Sequence, residues 1–170
     1  MNQPLVLDAD ALNIISEEIE LQQILEDRQE PTLLTPHPLE AARLLGTTTE
    51  TVQSNRLHTA NELAKRFNAT VILKGSGTII ADPDGKTAVN PTGGPALATP
   101  GSGDVLSGIC GALLAQGWPV WETALAAVWL HGAAADELVK RGEGPAGLTA
   151  GELIPEVRRI LNHLLQAYDR

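Results

Sequence analysis

The chain has 170 residues, of which 43% are hydrophobic and 19% charged, the proportions of a folded globular domain. Its formal net charge of −9 argues against nucleic acid or an anionic membrane surface as partner, because both require basic patches; an anionic small molecule needs only a local positive site. The lone cysteine, Cys110, rules out an internal disulfide, and with no basic, apolar leader and no bilayer-length apolar run the expected compartment is the cytoplasm.

In chain order, "PLVLD" (residues 4–8) reads as a short buried strand ending in an acid. A helical stretch follows, with Ile14, Ile15, Ile19, Leu21 and Leu25 among its apolar positions. "TLLT" is strand-like and is stopped by "PHP"; "PLEAARLLG" then makes a short helix with Pro38 near its start and Gly46 past its end. Residues 49–67 read as one longer amphipathic helix, with Leu57, Ala60, Leu63, Ala64 and Phe67 on one face. "TVILKGSGTIIADPDGKTAVN" gives the clearest strand signal, two β-branched runs around a Gly-rich turn and a third strand after "DPDG".

A Gly- and Pro-rich loop, residues 91–103, is long enough to suggest function. Residues 104–116 then read as an apolar helix, in which Cys110 is expected to be a buried, inert thiol. A second helix opens at Pro119 and runs to about Lys140, its small Ala124, Ala127, Ala133, Ala134 and Ala135 permitting close packing. The last helix begins with a capping box, Thr149 to Glu152, flanked by Leu148 and Leu153, and Pro155 should kink or shorten its first turns. The expected class is α/β, a mainly parallel central sheet with helices on both faces.

The segment "ATPGSGDVLSG" carries the sharpest chemistry. Gly101 and Gly103 allow close approach to the main chain, and with Ser102 they precede a helix whose free N–H groups and dipole favour an anion, most often a phosphate. It is neither a Walker A loop nor a dinucleotide fingerprint, since no Gly-Lys-Ser/Thr follows and Leu106 stands where the latter needs Gly. Asp104 beside such a seat is either a first-turn acid that complements the dipole or a general base for a hydroxyl meeting a phosphoryl group.

Lys74, with Gly75, Ser76, Gly77 and Thr78, is either a solvated turn or a cation beside a row of N–H groups for nucleotide phosphates. His37 is held between two prolines at a strand end. Glu40 reads as a helix N-terminal acid or as a carboxylate near a magnesium ion. Asp8, Asp10 and Asn13 lie past the first strand, where open α/β sheets place ligands, although one of them is as well suited to cap the next helix. His131 reads as a packed core histidine.

Taken together, "DADALN", "TPHPLE", "VILKGSGTIIA", "NPTGGPALATPGSGDVLSG" and "GLTAGEL" resemble the ADP/ATP-dependent NAD(P)H-hydrate dehydratase family, a branch of the ribokinase-like superfamily. They keep the family's order from Asp8 to Leu153. Two positions depart from its pattern: Leu39 and Pro100 stand where glycine is usual, the first crowding the pocket near His37 and the second stiffening the phosphate loop.

The resemblance implies hydrated NADH or NADPH as substrate, with ADP or ATP as phosphoryl donor and Mg2+ as cofactor. It implies that Asp104 is the catalytic base and that His37, Asp10 and Asn13 join it on the coenzyme. Lys74 to Thr78 and Gly101 to Gly103 are assigned to the nucleotide, and Glu40 to the metal indirectly. The alternatives are another ribokinase-like small-molecule kinase and a non-catalytic nucleotide-binding fragment.

Family members begin well before the equivalent of "PLVLD". The chain is therefore expected to be a single partial domain, residues 1–170, corresponding to the C-terminal portion. It is expected to associate with another copy or with a partner carrying the absent strands, and to show little activity alone.

Overall fold

Side chains alternating along three short strands divide the interior into two layers. The structure is a computed structural model and describes residues 3–168. Its sheet contains β1 (Leu5–Leu7), β2 (Thr32–Leu34), β3 (Thr70–Leu73), β4 (Ile79–Ala81) and β5 (Thr87–Val89), side by side in sequence order. β1, β2 and β3 pair in parallel, and β4 runs antiparallel to both β3 and β5, so four of the five strands point one way.

Between β1 and β2 lie α1 (Asp10–Glu17) and α2 (Ile19–Glu26). Between β2 and β3 lie α3 (Pro38–Leu45), α4 (Thr49–Ser54) and α5 (Arg56–Arg66). After β5 come a 3-10 turn (Pro95–Leu97), α6 (Ser102–Ala115), α7 (Val120–Lys140) and α8 (Ala150–Tyr168). Leu34, Val71, Leu73, Ile79 and Ala81 face α1 to α5, packing with Leu12, Leu44, Leu63 and Phe67. Leu33, Ile72 and Ile80 point the other way, onto Leu106, Cys110, Ala124 and Ala127 of α6 and α7. The period of two in "TLL", "TVIL" and "IIA" thus covers both sheet faces with helices. A third cluster, around Leu130, Ala134, Leu138 and Leu153, joins α7 to α8.

Several local readings change. "PLVLD" is not a buried strand: β1 is the sheet's edge, with Leu5 exposed and Val6 and Leu7 half-buried. The first helical stretch breaks at Glu18, whose extended backbone (φ −113°, ψ 102°) separates α1 from α2; Ile14, Ile19 and Leu21 are exposed and only Leu12, Ile15 and Leu25 are buried. Residues 49–67 form two helices, broken at Asn55 (φ −135°, ψ 42°), a residue type that favours such non-helical turns. Leu57 therefore falls outside the buried face.

α6 starts at Ser102, two residues earlier than read, with Gly101 in the left-handed region (φ 86°) as its N-cap. α8 runs unbroken through Pro155, which forfeits one main-chain hydrogen bond without ending the helix. At its start Glu152 accepts from both the N–H (2.7 Å) and the hydroxyl (2.6 Å) of Thr149, so the Thr149 hydroxyl serves the carboxylate while buried Leu148 and Leu153 supply the staple.

Candidate functional site

The residues just past the three parallel strands converge. Asp8 follows β1, Thr35 to His37 follow β2, and Lys74 follows β3, at the end of the sheet where open α/β folds gather ligands. Main-chain bonds lock the ends together: Thr35 N–H donates to Leu7 O (3.1 Å) and Lys74 N–H to Pro36 O (2.8 Å).

Asp8 is the hub. Its carboxylate accepts from Lys74 Nζ (2.7 Å) and from Ser107 Oγ of α6 (2.6 Å). Burial pushes its pKa up, yet the hydrogen bonds from Lys74 and Ser107 outweigh burial and hold it below the usual aspartate value. Ala9, next along, has φ 51° and ψ −119°, a strained conformation for a residue with a side chain. It is also the N-cap of α1, whose first turn no side chain caps; its own N–H donates to Asp8 Oδ1 (2.9 Å), and none of Asp8, Asp10 and Asn13 occupies the cap position.

A cleft of about 570 Å³ opens beside this hub, and its lining includes Lys74 to Thr78, Thr92 to Pro95, Ser102, Gly103 and His131. Lys74 reaches the start of α6, where a methyl group on Gly103 would lie 3.5 Å from its Nζ. The main-chain N–H groups of Gly75, Ser76, Gly77 and Thr78 have no protein partner among the described residues, and neither do those of Gly101, Gly103 and Asp104. The turn, and Gly103 at the helix N-terminus, thus set unpaired donors into one cleft whose walls also include apolar Leu97, Leu106 and Val128, while Gly101 lies outside its lining. That combination suits an oxyanion such as a phosphate.

The far wall is tied to α7. Thr92 Oγ1 donates to Trp129 O (3.1 Å), and Gly93 N–H donates to Asp136 (2.9 Å), both on α7. Gly132 of α7 must lack a side chain, since a Cβ there would meet Thr92 Oγ1 at 2.2 Å. His131 is buried at the cleft, and its Nε2 has no hydrogen-bond partner among the described residues. Burial, reinforced by the Lys74 charge, holds its pKa down to about 4, so the imidazole is neutral at pH 7. Cys110 is fully buried and burial pushes its thiol up to about 12, which leaves it inert.

The remaining sequence candidates lie outside the cleft lining. Asp104 is exposed in the first turn of α6, its carboxylate 4.0 Å from where a Gly101 side chain would begin. His37 is the N-cap of α3: its Nδ1 accepts from Leu39 N–H (3.1 Å) and Glu40 N–H (3.3 Å), and its own N–H donates to Glu40 Oε2 (2.7 Å). The other Glu40 oxygen lies 3.2 Å from His37 Nε2, so both oxygens of this buried carboxylate face one histidine. Asn13 accepts from Arg43 (2.6 Å), and Asp10 is exposed at the start of α1.

Among the described residues no group of three or more His, Cys, Asp or Glu side chains could hold a metal ion. A magnesium ion borne by phosphates needs only one or two carboxylates from the protein.

Ser107 and Arg56 escape a reading by motif. Ser107 lies one helical turn past Gly103, facing Asp8. Arg56 sits behind the Gly75–Thr78 turn and bonds main-chain carbonyls, partners that leave no mark on residue type.

Comparison with known proteins agrees with this geometry. Residues 1–158 match the NAD(P)H-hydrate dehydratase family. The chain is 49% identical over 166 residues to the ADP-dependent (S)-NAD(P)H-hydrate dehydratase of Neisseria meningitidis serogroup B, covering 98% of this chain and 56% of that protein. It is 41% identical over 160 residues to the bifunctional NAD(P)H-hydrate repair enzyme of Escherichia coli K12, covering 94% and 30%.

Among solved structures, the ADP/ATP-dependent NAD(P)H-hydrate dehydratase from Bacillus subtilis, co-crystallised with ATP/Mg2+ and soaked with CoA, superposes with a TM-score of 0.83 at 34% identity, covering 95% of this chain and 57% of the other. A ribokinase-like superfamily protein from Enterococcus faecalis V583 superposes with a TM-score of 0.70 at 29% identity, covering 92% and 53%. The chain thus spans little more than half the length of its longest-matched relatives. With a family match over nearly its whole length and a ribokinase-like fold, the chain belongs to the NAD(P)H-hydrate dehydratase family.

Proposed function

We propose that this chain carries the nucleotide-binding part of an enzyme that restores hydrated NADH or NADPH, with ADP or ATP as phosphoryl donor. The observation that carries the reading is the cleft between two runs of unpaired N–H groups, Gly75 to Thr78 and the start of α6, with Asp104 in that helix's first turn. Magnesium would arrive on the nucleotide phosphates and neutralise part of their charge.

In this reading Asp104 takes the proton from the ring hydroxyl of the hydrated coenzyme as that oxygen attacks the terminal phosphorus, and the shortened nucleotide leaves. Gly101 and Gly103 receive the developing negative charge through their unpaired N–H groups, with Ser102 between them. The phosphate ester then leaves as inorganic phosphate while a ring proton is lost, which returns the double bond. Lys74 pairs with Asp8 and presents its remaining donors toward Gly103 and the phosphates. His37, Asp10 and Asn13 stand on the coenzyme side, and Glu40 acts only by holding His37.

We read residues 1–170 as one portion of a single domain and place the reaction in the cytoplasm, where such coenzymes turn over. The unpaired edge of β1, with the apolar side chains exposed on α1 and α2, is the surface that a second copy or the relatives' additional strands would cover. No helix among the described residues is long and apolar enough to cross a membrane.

The test is return of NADH absorbance when hydrated NADH, ADP or ATP, and magnesium are supplied, with the chain in the context of a full-length family domain. Asp104→Asn is expected to lower turnover by about 100- to 10,000-fold, the range of general-base losses. Nucleotide affinity should hold or improve, since one repelling charge is gone. A near-parental rate in that variant would remove Asp104 from the role of base.

A further inference from the structure

The Gly75–Thr78 turn sets exposed Gly75, Ser76 and Gly77 and half-buried Thr78 in the cleft wall, and something must hold its donors in place. Arg56, the first residue of α5, packs against this turn and is not part of the cleft lining. Its guanidinium donates to three carbonyls: Nη2 to Leu73 O (3.2 Å) and Gly77 O (3.3 Å), and Nη1 to Lys74 O (3.4 Å). Gln53 Oε1, at 3.1 Å from Nη1, steadies the group from α4. The pocket for the guanidinium exists because residue 75 is glycine: a Cβ there would stand 2.7 Å from Nη1.

A trans peptide places its carbonyl and its N–H on opposite sides. Pulling Lys74 O toward Arg56 therefore turns Gly75 N–H the other way, and pulling Gly77 O does the same to Thr78 N–H. These are two of the four unpaired donors of the turn. Arg56 is well suited to this task, because its planar fork offers five N–H groups in fixed directions and stays charged while half-buried.

We propose that Arg56 is a positioning residue, which aims the Gly75 and Thr78 N–H groups at nucleotide phosphates without touching the nucleotide itself. The proposal rests on reading the cleft as a nucleotide site. It specifies that the effect of Arg56 travels through the phosphate end of the ligand alone.

Calorimetry with ADP and with adenosine, on the parent and on Arg56→Lys and Arg56→Gln, tests it. Lysine keeps the charge but cannot hold three carbonyls at once, and glutamine keeps part of the hydrogen bonding without the charge. Both variants should bind ADP about 10- to 100-fold more weakly, the scale of one or two charge-assisted hydrogen bonds. Adenosine affinity should stay within about twofold of the parent, because no phosphate is involved. Amide resonances of Gly75 and Thr78 should shift in the free variants, and this reports on the turn even if the melting temperature falls.

ADP affinity equal to the parent's in both variants would overturn the proposal while leaving the nucleotide reading intact. Equal losses for ADP and adenosine would overturn it too, by showing general loosening. A parent that binds neither ligand would overturn the nucleotide reading itself, and the proposal with it.

Discussion

Lys74 brings a positive charge to the cleft wall but shares it with Asp8, 66 residues away in sequence, at 2.7 Å. Such a pair orients the ammonium and reduces its net charge, so its contribution to phosphate binding depends on the donors left over. Lys74→Ala is expected to weaken ADP binding by about 10- to 100-fold in calorimetry, and added salt should narrow the gap between variant and parent. Equal affinity would leave Lys74 with the structural task of neutralising Asp8. Lys74 and the glycines around it were legible because their signal is local: residue types with special backbone freedom or charge, adjacent in sequence. Asp8 was legible only as an acid at a strand end, and its bonds to Lys74 and Ser107 depend on strand order. Arg56 was not legible at all, since every carbonyl it grips looks the same in any sequence.

At the scale of elements, β3 to β5 and α3 were read correctly because β-branched runs, "DPDG" and a Pro…Gly frame punctuate them clearly. The readings failed where one polar residue breaks a helix, as at Glu18 and Asn55, because periodicity alone carries on across such a break. α8 differs in the opposite sense: Pro155 does not shorten its first turns, and the helix continues through it. Its buried face includes Leu153, Glu156 and Val157, and Glu156 ties it to α7. Glu156 accepts from Arg159 (2.8 Å) and from Arg141, at the end of α7 (2.8 Å). The Arg159 hydrogen bond, with Arg141 helping against the opposing effect of burial, holds the Glu156 carboxyl down to about 2. The folded-state pKa lies below the ordinary 4.5, so the contribution to stability is complete above that value and is lost as pH falls toward 2. Thermal melts should therefore show Glu156→Gln less stable than the parent at neutral pH, with the gap closing through that window. A gap independent of pH would assign the residue to packing alone.

The whole molecule is covered unevenly. The sheet is buried under helices on both faces in its middle strands, but β1 is an edge with its outer hydrogen-bonding groups unpaired among the described residues. The two helices after it bury little: α2 contributes only Leu25 to the core, while Ile14, Ile19 and Ile24 are 54%, 70% and 67% exposed. Three exposed isoleucines in one short stretch, together with an unpaired strand edge, are the sort of surface that chains hide by pairing or association. Relatives matched over 56% and 57% of their length have further chain that could lie there. We therefore expect the 170-residue chain to self-associate when isolated at micromolar concentration, and sedimentation velocity is the direct measurement. Replacing Ile19 and Ile24 by glutamate should shift the distribution toward monomer without unfolding the core, because neither side chain is buried. The charges would also block a strand or helix from packing there, so the same double variant should lose any association with a separately supplied N-terminal half. If the parent sediments as a single monomer across the concentration range, the exposed isoleucines are tolerated surface and the β1 edge does not seek a partner.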